Sequence, residues 1–119
     1  MTRFSLLALI ALALILPLAP SPGARAKKKR LLVVTVTKGF RHADSIPVAE
    51  RVIAELGEKS GKFTVDYVRT DEEMARKMTP EALRQVDGVF FASTTGDLPL
   101  PDRDAFLKWI APGRGFAGA

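Results

Sequence analysis

Two short polar stretches hold most of the side chains in this sequence that could do chemistry. One is Thr37-Lys38-Gly39-Phe40-Arg41-His42-Ala43-Asp44-Ser45, and the other is Ser93-Thr94-Thr95-Gly96-Asp97. Arg41 carries the planar fork that grips a carboxylate or phosphate through paired bonds. His42, the only histidine, could serve as a general base, a hydrogen-bond donor or a metal ligand. A lone histidine without a nearby cysteine or acidic triplet is a poor metal site, so no metal ligand is assigned. Gly39 and Gly96 would let backbone approach a ligand closely. Thr94, Thr95 and Asp97 offer the hydroxyl and carboxylate groups that sugars use. Ser45 fits the N-cap of a following helix with Pro47 in its first turn, and that helix start would turn free N–H groups toward the same space. The candidate ligand-binding set is therefore Lys38, Gly39, Phe40, Arg41, His42, Ser45, Thr94, Thr95, Gly96 and Asp97, with His42 the candidate for catalysis. Plainer roles stay open: a packed histidine, a surface arginine, a tight turn at 94–97. No cofactor is identified.

Several chemistries are missing. There is no Gly-x-Gly-x-x-Gly after the first apolar run and no Gly-Lys-Ser/Thr phosphate loop. The chain has no cysteine, so a thiol nucleophile within it is excluded, and a serine nucleophile lacks its elbow motif.

The elements around the two stretches explain how they would be positioned. Leu31 to Val36 is a β-branched run without alternation, as in a strand covered on both faces. Ala49, Val52, Ile53 and Leu56 recur at helical spacing after Ser45, and Gly57 or Gly61 can end that helix. Phe63 to Val68 alternates enough for a second strand near an edge. Asp71 to Met78 reads as a short helix or turn with a solvated acidic run, and Thr79-Pro80-Glu81 starts another helix. Gly88 to Ala92 is a third strand. Asp102 to Ile110 is a helix whose Phe106 and Trp109 belong to the core, stopped by Pro112-Gly113. Gly115 to Ala119 opens a fourth strand.

Alternation of this kind predicts an α/β fold with a parallel sheet and helices on both faces. In the flavodoxin-like strand order 2-1-3-4, strands one and three are neighbours. The two polar stretches follow those strands, so they meet at the carboxyl edge where the order reverses, the usual ligand position in such sheets. The last residues are apolar and glycine-rich, so the reading is of a domain truncated after the start of its fourth strand.

The first residues follow a different pattern. Met1-Thr2-Arg3 is positive, Phe4 to Leu16 is almost unbroken apolar sequence, prolines follow, and Ala24-Arg25-Ala26 is a small-x-small site. That order predicts a secretory signal over 1–26, a domain from 27 to 119, and a secreted or periplasmic location with no stable membrane span after cleavage. Without Arg3 and Arg25, the 18 basic residues fall to 16 against 13 acidic ones. Much of the excess sits in Lys27-Lys28-Lys29-Arg30. With no aromatic interleaved, this cluster reads as a solvated lead-in to the first strand, and no nucleic-acid partner is expected.

Leu32-Val33-Val34-Thr35 leading to Gly39-Phe40-Arg41-His42 and Ser45-Ile46-Pro47 resembles the opening of ThuA-like (trehalose-utilisation) domains. Phe90-Phe91 with Thr94-Thr95-Gly96-Asp97 is similar to a second hallmark, and Phe106 to Ile110 with Gly113-Arg114-Gly115-Phe116-Ala117-Gly118 to a third. Arg114 stands where a third glycine is common, and Leu98-Pro99-Leu100-Pro101 is unusually proline-rich. The resemblance implies a three-layer fold like that of class I glutamine amidotransferases, here as an N-terminal fragment. It implies a sugar or glycoside ligand in trehalose or related glycoside metabolism, with further domains in the full-length chain. A non-catalytic carbohydrate-binding or scaffold module and an amidotransferase-like hydrolase are the alternatives. Whether the protein is an enzyme is left open.

Overall fold

A computed structural model describes residues 26–119; the expected signal falls almost wholly on residues outside these. Four strands, β1 (Lys29–Val34), β2 (Phe63–Val68), β3 (Gly88–Phe91) and β4 (Gly115–Gly118), alternate with helices. They form one all-parallel sheet in the order β2-β1-β3-β4. This is the flavodoxin-like α/β arrangement that the alternation predicts. β1 lies centrally, and Leu32, Val33 and Val34 are all buried, which is why its sequence does not alternate. β2 is an edge strand and does alternate, with Phe63, Val65 and Tyr67 turned to one face.

The helices cover the sheet unequally. The longest, α1 (Ser45–Ser60), packs Ala49 and Ile53 with Val33, Ala92 and the inward side chains of β2. The other face carries α2 (Asp71–Lys77), α3 (Pro80–Leu83) and α4 (Arg103–Ile110). Their Met74, Leu83 and Phe106 join Met78, Leu32, Val34, Val68 and Val89 in the larger core. Three of the four helices begin on side-chain caps. Thr70 accepts from the Glu73 N–H, Thr79 from the Ala82 N–H and Asp102 from the Ala105 N–H, each satisfying an orphan donor of a first turn. Thr70 with Glu73 has the spacing of a capping box, which makes 71–77 a helix. No helix among the described residues is long and apolar enough to cross a membrane.

Three expectations are corrected. Val52 and Leu56 do not belong to the buried side of α1; they are 45% and 55% exposed. The buried line runs through Ile46, Ile53 and Gly57. A Cβ at Gly57 would lie 2.9 Å from the Phe63 carbonyl oxygen, so α1 seats against β2 on its glycine, and Leu56 is carried outward. Gly61, at φ 63°, ends the helix. Ser45 is not an N-cap. Asp44 takes that position in helical conformation without a side-chain bond, because the chain begins to coil earlier, with the Ile46 N–H on the His42 carbonyl. The first strand starts at Lys29 and ends at Val34, because Lys29 and Arg30 pair with Phe63 and Thr64. Half of the basic cluster is therefore inside the sheet.

Candidate functional site

β1 and β3 are hydrogen-bonded neighbours, so the turns that leave their carboxyl ends adjoin. They are also fastened to each other. The Thr95 carbonyl accepts the Lys38 N–H at 2.8 Å and the Gly39 N–H at 3.3 Å. Thr95 Oγ1 donates to the Phe40 carbonyl at 2.7 Å, and Thr37 Oγ1 lies against both partners. A Cβ on Gly39 would come within 3.1 Å of Thr95 Oγ1. Gly96 adopts φ 82°, and a Cβ there would sit 3.0 Å from the Gly39 nitrogen and from Lys38 Cβ. The close approach these glycines permit is thus between the two turns.

A second link joins Ser45 Oγ to Ser93 Oγ at 3.1 Å. Ser93 is the one described non-glycine residue at positive φ, 51°, a conformation that is uncommon for serine and worth a functional question. Its place just beyond the apolar run Gly88 to Ala92 is the sequence signal for it.

The remaining candidates divide into free and engaged side chains. Lys38 Nζ pairs with Asp71 at the start of α2, and Asp97 pairs with Arg103 of α4. Thr94 is half-buried. Arg41 is exposed and makes no side-chain hydrogen bond among the described residues. Phe40 is 74% exposed, and its ring meets that of His42 edge-on, with centroids 5.0 Å apart. Phe40, His42, Ala43, Asp44 and Ser45 line a surface recess of about 200 Å³. The recess therefore combines an apolar plate, an imidazole, the Asp44 carboxylate and the Ser45 hydroxyl, the last bonded to Ser93, with Arg41 in the same turn, a set able to hold a molecule with both C–H faces and hydroxyl groups. Among the described residues, no three His, Cys, Asp or Glu side chains gather as a metal site.

Next to this surface is an ion pair that sequence reasoning missed. Glu50, only 15% exposed, receives Arg69 Nε and Nη2 in a two-pronged contact. It also accepts from Thr35 Oγ1 at 3.0 Å, and Thr35 is fully buried just past the end of β1. The Arg69 guanidinium lies 4.0 Å above the Tyr67 ring. Glu50 is three residues before Ile53, so helical spacing places it on the inward face, and that is the available clue.

The hydrogen bond from Arg69, helped by that from Thr35, holds the Glu50 carboxyl below its ordinary range against the opposing effect of burial. Burial raises Asp66 too, but bonds from Lys77 and the Tyr67 N–H outweigh it and leave Asp66 lowered. A carboxyl lowered by folding lends stability that is complete above its unfolded value and is lost as pH falls through its folded value. Stability is therefore expected to fall below the ordinary carboxylate range. Glu50→Gln should flatten that acid limb in urea titrations at stepped pH, leaving the part due to Asp66. An unchanged slope would show that Glu50 is not its source.

No curated protein matches the chain. The family model described as ThuA, trehalose utilisation, matches residues 30–119, which takes in all but the first residue of β1 and the whole of every other strand, helix and turn described above. The chain belongs to the ThuA family, and its general role lies in the metabolism of trehalose and related glycosides.

Proposed function

We propose that this chain is an exported ThuA-family protein that binds a disaccharide, or its oxidised derivative, over the joined turns at the carboxyl ends of β1 and β3. The observation that supports this most is the display of Phe40 and His42, ring edge against ring face, on a turn already locked to its neighbour. A sugar ring has an apolar face that lies well on an aromatic side chain and a hydroxyl rim that needs directed partners. Phe40 supplies the first, and His42, Arg41 and the Ser45–Ser93 hydroxyls supply the second.

Calorimetry of the full-length protein against trehalose and its oxidised derivative tests this reading. His42→Ala is expected to weaken binding about tenfold, the loss of one hydrogen bond. Its thermal midpoint should not move, because His42 is exposed. Absence of heat with both sugars would sink the proposal, as would an affinity unaltered in both His42→Ala and Phe40→Ala. Turnover of a bound glycoside separates an enzyme from a binding module.

A further inference from the structure

The opposite end of the sheet gathers charge that the joined turns do not use. Because all strands are parallel, Lys29, Phe63, Gly88 and Gly115 begin at one end. Lys27, Lys28, Lys29, Arg30 and Arg84 surround one recess there. Lys29, Arg30 and Arg114 rim a second recess of about 460 Å³, floored by Leu31 and Phe63. Asp87 is the carboxylate shared by both recesses. It is already engaged by the Arg30 N–H at 2.8 Å and lies within 4.0 Å of Lys29 and Arg114. Glu58 of α1 and Lys28 line a neighbouring recess. Lys27, Lys28 and Arg84 make no side-chain hydrogen bond among the described residues, and all three are exposed.

We infer that this end of the molecule is a docking face for an anionic phospholipid surface. Two features favour lipid. The cations are three lysines and three arginines, and Lys27, Lys28 and Arg84 stand exposed without a side-chain hydrogen bond among the described residues, a spread of charge that suits a diffuse anionic surface. Four of them, Lys27 to Arg30, are consecutive in the sequence, so their charges act together on one patch. No aromatic is interleaved with these four cations, which removes the stacking that single-stranded nucleic acid uses. Docking by this end leaves the joined turns, at the carboxyl ends of the strands, facing away from the membrane and open. A lipid-facing role for this end does not depend on the sugar reading.

Binding of the full chain to vesicles of phosphatidylcholine alone, and of phosphatidylcholine mixed with phosphatidylglycerol, tests it. Any contribution of residues 1–26 is common to both, so the difference reports the charged face. Binding is expected to be at least about tenfold tighter to the anionic vesicles at low salt, and this preference should fade as salt shortens the screening length. Lys27→Gln/Lys28→Gln/Arg84→Gln should abolish most of it with an unchanged circular-dichroism melt. Should the triple variant misfold, Lys27→Gln/Lys28→Gln, outside β1, carries the test with a smaller loss. Equal binding to both vesicles, a preference untouched by these variants, or tighter binding to an oligonucleotide than to the anionic vesicles would overturn the inference.

Discussion

Gly96→Ala is expected to destabilise the fold by about 2 kcal/mol or more and to loosen both turns at the carboxyl edge. Two effects combine. Gly96 sits at φ 82°, where a side chain is strained whatever the space. In addition, its Cβ would press on the Gly39 nitrogen and on Lys38 at 3.0 Å, and backbone cannot swing aside as a side-chain tip can. Gly61 separates the two effects. It has φ 63°, and a Cβ there would meet nothing within 4 Å, so Gly61→Ala reports strain alone, about 1 kcal/mol. Urea unfolding of both variants measures the difference. If Gly96→Ala loses no more than Gly61→Ala, the turns do not pack as described. Hydrogen exchange adds a local readout, since the Lys38 and Gly39 amides that bond Thr95 should lose protection first.

Phe106→Ala carries the other large effect, a loss of about 3–5 kcal/mol. Phe106 is 5% exposed and stands at the centre of an aromatic group. It stacks on Trp109 at 5.9 Å and meets Phe91 and Phe116 at 6.0 and 6.2 Å. It thereby joins α4 to β3 and β4. The expected signature is a shift of the urea midpoint together with early exchange of the Ala119 amide, which bonds the Phe91 carbonyl. Phe106→Leu, which retains most of the volume, should lose less than about 1.5 kcal/mol. A leucine variant as damaged as the alanine one would argue that ring geometry, rather than filled volume, sustains the contact.

Much of the fold is legible in the sequence because it rests on local pattern and topology. The unbroken run 31–36 announces a central strand, the alternation at 63–68 an edge strand, and chirality then leaves few orders for four parallel strands. The meeting of the two turns follows from that order. What escapes depends on contacts between distant residues. Periodicity alone puts Val52 and Leu56 inward; the seating of Gly57 on Phe63 rotates α1 away from that reading. Arg114, which departs from the glycine common at its position, is explained only in three dimensions, by its bond to the Val86 carbonyl at 2.9 Å and its place over Trp109. Likewise nothing near Thr95 in sequence says that its carbonyl and hydroxyl are committed to residues 38–40. Gly39 and Gly96 are legible as places of close approach, but the identity of what approaches is not.

That commitment bears on how fast and how economically the carboxyl edge can recognise anything. With Thr95 fastening residues 37–40, most of the main-chain freedom there is surrendered during folding. An incoming molecule meets a stiff wall and has only the Phe40, Arg41 and His42 side chains left to immobilise. Association should accordingly show single-step kinetics with no slow rearrangement phase, and little change in backbone order on complex formation.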